Sequence, residues 1–310
     1  MKICMVGYGR IAGVHSRHLA SIPGVELDTV VGVRVQATES FAREHGYAHV
    51  SYDLEQTLQR PDLDAVVLCS PSPLHAPQSE LALRAGKHVL CEIPLALSLA
   101  EAERLGELVE RLDRRLMVCH TERFEAGKRA LCGQIAAGDL HPLHVIACFH
   151  FIRRGNVHAT PERASWTDNL LWHHGCHTVD AVLTMLGEPE TRDLRAQFGA
   201  PWPGLGVPID VDLQWRSPGG VLVNISLSHN AHWGAHDYRL ICLEDTIVCD
   251  HGKLLNQEGV VLDSAAAPSP NLLQDREFVE AVRQGRAPEV NVASVLPAMR
   301  VLQAAWDTLG

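Results

Sequence analysis

Residues 2–12 read KICMVGYGRIA: an apolar, β-rich run enters Gly7-Tyr8-Gly9 and passes at once into a stretch of helical composition. Gly7, Gly9 and Ala12 fill a GxGxxA pattern. After a strand and at the start of a helix, the first glycine permits a tight turn and the second lets a pyrophosphate approach the backbone, while the helix N-terminus offers free N–H groups and a positive dipole end. Arg10, Ile11 and Ala12 open that helix and complete the expected phosphate site. Taken alone the pattern also fits a plain turn, so its surroundings decide the reading.

Outward from it, the runs KICMVG, VELDTVVGV, DAVVLCS, HVLCEIP and LMVCH alternate with helical stretches ending near Ser21, Gly46, Ala85 and Leu112. Such alternation predicts a parallel sheet with covering helices, a Rossmann domain over residues 1–120. Past residue 121 the pattern changes to longer alternating strands: HPLHVIACFHFIRR, VPIDVDLQWR, GGVLVNISLSHN and DYRLICLEDTIVCDHG, with a helical ending. This predicts an α+β domain over 121–310 built on an open, mainly antiparallel sheet, whose uncovered face suggests a homodimer or homotetramer.

The second predicted strand ends in VVGVRVQ, which lacks the acid that bonds an NAD ribose and carries Arg34 instead. An arginine there attracts a 2′-phosphate, so NADP is the expected cofactor with NAD the alternative. The 310 residues carry 27 basic and 37 acidic side chains, a formal charge of −10. That balance argues against nucleic acid and requires a local arginine cluster for any anionic substrate. The first residues read as a buried strand rather than a signal peptide, and no apolar run reaches the roughly 18 residues of a membrane span, so a cytoplasmic protein is expected. Nine cysteines, spread singly from Cys4 to Cys249 with no CxxC pair, read as free thiols.

In the second domain, residues 169–186 read as a helix with Thr167 or Asp168 at its N-cap and Gly187 beyond its end. His173, His177 and Asp180 stand at i, i+4 and i+7, hence on one face. An imidazole is suited to take a hydroxyl proton at neutral pH as hydride leaves carbon, which makes His177 the candidate base, His173 a positioning group and Asp180 an orienting partner. Gly175 suggests a close approach of ligand to the helix backbone. The same spacing also fits ordinary core histidines, or a zinc pair, although no HExxH pattern or third ligand accompanies it; no metal is expected. Arg153, Arg154 and Arg123 are candidates to clamp carboxylates, with only one of the adjacent pair able to face a site on a strand. His174 and Asn169 are further substrate candidates, and Trp166 or Trp172 could cover a flat ring.

The segments GYGRIAGVH (7–15), VVLCSPSPLHAP (66–77), AGKHVLCEIP (85–94), HTERF (120–124) and GCHTVD (175–180) together resemble the Gfo/Idh/MocA dehydrogenases over nearly the whole chain. The resemblance implies that Ser70, Pro71, Ser72 and His75 line the adenosine and ribose side of the cofactor, with Glu92, Ile93 and His120 near the nicotinamide. It also exposes two departures. The family's Glu-Lys-Pro motif is here Glu92-Ile93-Pro94, without its lysine, and its D-x-G-x-H motif begins with His173 rather than an acid. EIPLA, FIRRGN, SWTDNLLWHH, HTVD and LQDREF resemble a branch of the family that oxidises the cyclic hemiacetal of a carboxylated muconate semialdehyde to a pyrone dicarboxylate with NAD(P), in bacterial breakdown of aromatic acids. Sugar or cyclitol oxidation, or a non-catalytic NADP-binding regulator, are the alternatives.

Overall fold

A computed structural model of the chain describes residues 1–154, 169–250, 252–263 and 267–309. The predicted alternation is present in the first unit, as β1 (Lys2–Val6), α1 (Arg10–Ala20), β2 (Glu26–Val31), α2 (Val35–His45), β3 (His49–Ser51), α3 (Leu54–Leu58), β4 (Ala65–Leu68), α4 (His75–Arg84), β5 (His88–Cys91), α5 (Leu99–Leu112) and β6 (Leu116–Val118). The six strands run parallel in the order β3-β2-β1-β4-β5-β6. Ile3, Cys4, Met5 and all four residues of β4 are at most 0% exposed, as expected of strands covered on both faces. Order reversal at β1 and β4 makes the carboxyl ends of these strands the place where a doubly wound sheet binds ligands.

The second unit contains α6 (Ala126–Ala137), β7 (Pro142–Ile152), α7 (Leu170–Leu186), β8 (Arg192–Phe198), β9 (Asp210–Arg216), β10 (Leu222–Ser228), β11 (Asn230–Cys242), β12 (Thr246–Asp250), β13 (Lys253–Asn256) and β14 (Gly259–Leu262). Its eight-stranded sheet has the order β14-β13-β12-β11-β7-β10-β9-β8 and is antiparallel except where β10 runs parallel to β7. Strand alternation sends Val145 and Ala147 of β7 and Val223, Ile225 and Leu227 of β10 into the core. On the opposite face Ile146, Cys148, Asn224 and Ser226 are only half-buried. No helix among the described residues is long and apolar enough to cross a membrane.

The chain divides into Met1–Thr121 with Pro268–Leu296, and Glu122–Ala267 with Pro297–Gly310. The first break lies after Thr121, and residues 268–296 group with the Rossmann unit rather than with residues 122–267. Helix α8 (Pro270–Gln284) packs on α1, burying Phe278, Val279 and Ala281, and the Val118 N–H donates to the Val290 carbonyl at the edge of the sheet. A last helix, α9 (Val292–Trp306), follows. Helical periodicity shows that such a segment has an apolar face; it does not say which sheet that face covers.

Candidate functional site

In the first unit the turn is built as the residues require. Gly7 has φ +112°, a left-handed conformation, and a Cβ there would lie 2.5 Å from the Cys69 carbonyl oxygen, so no other residue fits. Gly9 is the N-cap of α1; a Cβ there would meet nothing within 4 Å, and no side chain caps the helix. The first turn of α1 also lacks any acid. An open approach to uncapped N–H groups, without a repelling carboxylate, fits the pyrophosphate of a dinucleotide. Arg10 is exposed, Ile11 half-buried and Ala12 buried.

Arg34 caps α2 through its backbone and its side chain is half-buried at the end of β2. At the end of β4, Ser70 donates to Gln78 Oε1, Pro71 leads a short 3-10 turn over Ser72–Leu74, and Ser72 is buried. His75 is 2% exposed and spans two loops, with Nδ1 2.8 Å from the Pro94 carbonyl and Nε2 2.8 Å from the Ser70 carbonyl. Its ring braces the ends of β4 and β5, a task that the expected place beside the ribose does not include.

After β5, Glu92 Oε1 lies 2.8 Å from His15 Nε2, and Oε2 accepts the Ile93 N–H. Ile93 is buried, so the position of the family lysine is filled by an apolar side chain turned inward. His120, at the end of β6, is buried. His15 Nδ1 is 2.7 Å from Asp275 Oδ1 on α8. Burial opposes a charge on His15, yet Asp275 and Glu92 outweigh it and raise the imidazole to about 10. Among the described residues, His15, Glu92 and Cys119 bring three potential metal-ligand atoms within 4.8 Å of one another. With burial holding the Cys119 thiol well above its ordinary value, the proton on His15 accounts for the cluster without an ion.

In the second unit α7 holds the histidines. Its N-cap is Asn169, whose side-chain oxygen accepts from the Leu171 and Trp172 N–H groups; this replaces the expected Thr167 or Asp168 and commits that oxygen to the helix rather than to a ligand. Trp166, expected over the cofactor, lies outside the described residues. Trp172 is 3% exposed and is part of the core. At Gly175 a Cβ would sit 3.0 Å from Leu227 Cδ1 on β10, so packing against the sheet favours a glycine there. His173 and His177 share the half-buried side of a helix otherwise largely buried.

His174 stacks on Phe149 at 4.6 Å and 19° between planes, meets Phe151 edge-on, and shares a 3.3 Å hydrogen bond with His229. Burial first, then His173, His229, His177 and Arg153, hold it well below its ordinary value. His229 is pushed down to about 4 by burial and by Arg153. Of the two adjacent arginines, Arg153 is thus the one on the histidine side. Arg154 donates to Asn230 and lies over the Trp202 ring. Arg123, expected to grip substrate, instead forms a two-pronged pair with Asp180, through Nε to Oδ2 at 2.7 Å and a second bond to Oδ1. Asp180 therefore serves Arg123 rather than acting only as an orienting partner for a histidine.

Sequence reasoning did not single out Glu122, His229, His236 or Tyr238. Burial would raise Glu122, but Lys128, His236 and His177 hold it well below the usual carboxylate range. It accepts from Tyr238 and lies 3.1 Å from His236 Nε2. His236 meets Phe149 edge-on at 4.8 Å, so β7 and β11 join this group to the α7 histidines. The only signal in the sequence was the i, i+2 spacing of His236 and Tyr238 on a strand.

Both parts of the chain match known proteins. Residues 1–120 match the GFO_IDH_MocA model, an oxidoreductase family with an NAD-binding Rossmann fold, and residues 127–266 match a bacterial oxidoreductase C-terminal model. The chain is 36% identical to 4-carboxy-2-hydroxymuconate-6-semialdehyde dehydrogenase of Sphingobium sp. over 306 residues, 97% of this chain and 96% of the relative. It is 28% identical to an inositol 2-dehydrogenase of Streptomyces avermitilis, covering 92% of this chain and 85% of the relative. The aldose-aldose oxidoreductase structure from Caulobacter crescentus superposes with TM-score 0.88 at 21% identity, over 99% of this chain and 96% of that one. With its glycine turn, its parallel sheet and full-length likeness to a dehydrogenase, the chain belongs to the Gfo/Idh/MocA family of NAD(P)-dependent oxidoreductases.

Proposed function

We propose that this enzyme oxidises the cyclic hemiacetal of 4-carboxy-2-hydroxymuconate 6-semialdehyde, or a close carboxylated relative, to 2-pyrone-4,6-dicarboxylate, with NADP preferred over NAD. The observation that carries the reading is the 36% identity, over almost the full length of both chains, to the Sphingobium dehydrogenase of that substrate. Bound cofactor supplies the hydride acceptor. His177 takes the hydroxyl proton as hydride leaves the hemiacetal carbon, and the C–O bond becomes the lactone carbonyl. His173, beside it on α7, positions the hydroxyl. Arg153 supplies the positive charge for a carboxylate, as a chain of net charge −10 requires. A hemiacetal hydroxyl is more acidic than a sugar hydroxyl, which fits a buried Ile93 where polyol-oxidising members carry lysine. NADP preference rests on Arg34 and on the lack of an acid at the end of β2.

The test is the absorbance of reduced cofactor during incubation with NADP+ or NAD+ and either the semialdehyde or a panel of inositols and sugars. Turnover of the semialdehyde alone supports the assignment; turnover of polyols alone overturns it. The half-exposed face bearing Ile146, Cys148, Asn224 and Ser226 supports a homodimer or homotetramer, and a monomer by light scattering would refute that. A cytoplasmic location fits nine cysteines that are all free.

A further inference from the structure

The motif LQDREF and the His15 that ends GYGRIAGVH play no part in the chemistry above, yet they meet in the first unit. His15 is 0% exposed, one turn beyond the phosphate-binding end of α1. Its ring stands between Asp275 of α8, also 0% exposed, and Glu92 at the carboxyl end of β5. We propose that His15 is a positioning residue for the nicotinamide end of the cofactor: its ring holds the Glu92 carboxylate in one orientation at the strand end where the nicotinamide binds. The proposal rests on the reading that Glu92 stands at the nicotinamide.

The geometry leaves Glu92 little freedom. One oxygen takes the His15 Nε2 bond at 2.8 Å and the other the Ile93 N–H at 3.2 Å. Asp275 on the far nitrogen fixes the ring plane and favours its charged form, so one imidazole links the glycine-turn helix to the carboxylate beyond β5. Without the His15 bond the Glu92 carboxylate is free to turn away from the strand end. That loss of orientation weakens binding of the whole dinucleotide and spares the fragment that lacks nicotinamide. The groups facing His15 are Asp275 from α8, Glu92 from β5, the Cys119 thiol at the end of β6, and His18 from its own helix, 3.5 Å from Asp275 Oδ2. Cys69, after β4, is coupled to Glu92 and Asp275 as a neutral thiol whose burial holds it well above its ordinary value.

Calorimetric titration of the full chain with NADP+ and with 2′-phospho-ADP-ribose, repeated with NAD+ and ADP-ribose, tests this in His15→Gln, Asp275→Asn and Glu92→Gln. The expected result is an affinity for the intact dinucleotide at least tenfold weaker in all three, with fragment affinity within twofold of the parent, and with His15→Gln adding little on top of Glu92→Gln. Equal losses for dinucleotide and fragment, or normal binding by a folded His15→Gln, overturn the proposal. If Glu92→Gln binds NADP+ normally, the placement of Glu92 fails and the proposal goes with it; a defect in Glu92→Gln without one in His15→Gln removes the proposal alone. Should His15→Gln not fold, the parent protein serves: its dinucleotide affinity, divided by its fragment affinity, should fall as pH rises through about 10, and a constant ratio overturns the proposal.

Discussion

Two buried histidines in this enzyme are pushed in opposite directions by their surroundings. His15 in the Rossmann unit and His229 in the second unit are 0% and 1% exposed, so burial pushes both toward neutrality. His15 nevertheless rises to about 10, because two carboxylates face it; His229 falls to about 4, among rings and beside Arg153. Burial sets the cost of a charge, and the neighbours decide whether the charge is kept. The charge on His15 suits the task assigned to it above, since an imidazolium can hold an anion in place.

The largest expected effect comes from breaking the charged group. His15→Gln leaves the buried Asp275 and the half-buried Glu92 without their cation, and should lower unfolding stability by about 3–5 kcal/mol in urea titration at neutral pH; a loss below about 1 kcal/mol would show that the pair is not charged. Next is His177→Ala, which should reduce kcat about a hundredfold or more with an unchanged circular dichroism spectrum. Near-normal turnover would remove the base from α7.

The contrast should also appear as two limbs in the pH dependence of stability. For His15 the folded value lies above 6.5, so its contribution is complete below that pH and is lost as pH rises through about 10. For His229 the folded value is lower, so stability is kept above 6.5 and lost as pH falls through about 4. Thermal melts across this range should show the acid limb flatten in His229→Gln and the alkaline limb in Asp275→Asn. A single limb shared by both variants would contradict the assignment. The smallest effect is on cofactor choice: Arg34→Ala should lower the NADP to NAD ratio of kcat/KM by roughly tenfold, the worth of one charged hydrogen bond, and an unchanged ratio would free Arg34 from that role.

Much of this was legible in the chain because it depends on local chemistry. Gly7 announces its turn since its backbone demand is intrinsic to glycine, and the apolar alternation of residues 1–120 announces a parallel sheet since strands covered on both sides must be apolar throughout. The face shared by His173 and His177 follows from helical period alone. Other residues changed meaning with their partners. Arg123 gains Asp180 as a partner, Gly175 lies against Leu227, and the Asn169 side chain caps α7, contacts that no local pattern announces. The pairing of Glu122 with His236 carries no mark in the sequence, as 114 residues separate the two.

The amino-acid order thus determined the nucleotide-binding fold, the helix that presents the imidazoles and the chemistry those side chains can perform, all of which arise from interactions within a few residues. Only the tertiary structure decided which histidines are charged, which arginine faces them, and that residues 268–296 rejoin the first unit to bring Asp275 against His15. Those outcomes depend on electrostatic and packing terms between groups up to 260 residues apart, whose sign is undefined until the partners meet.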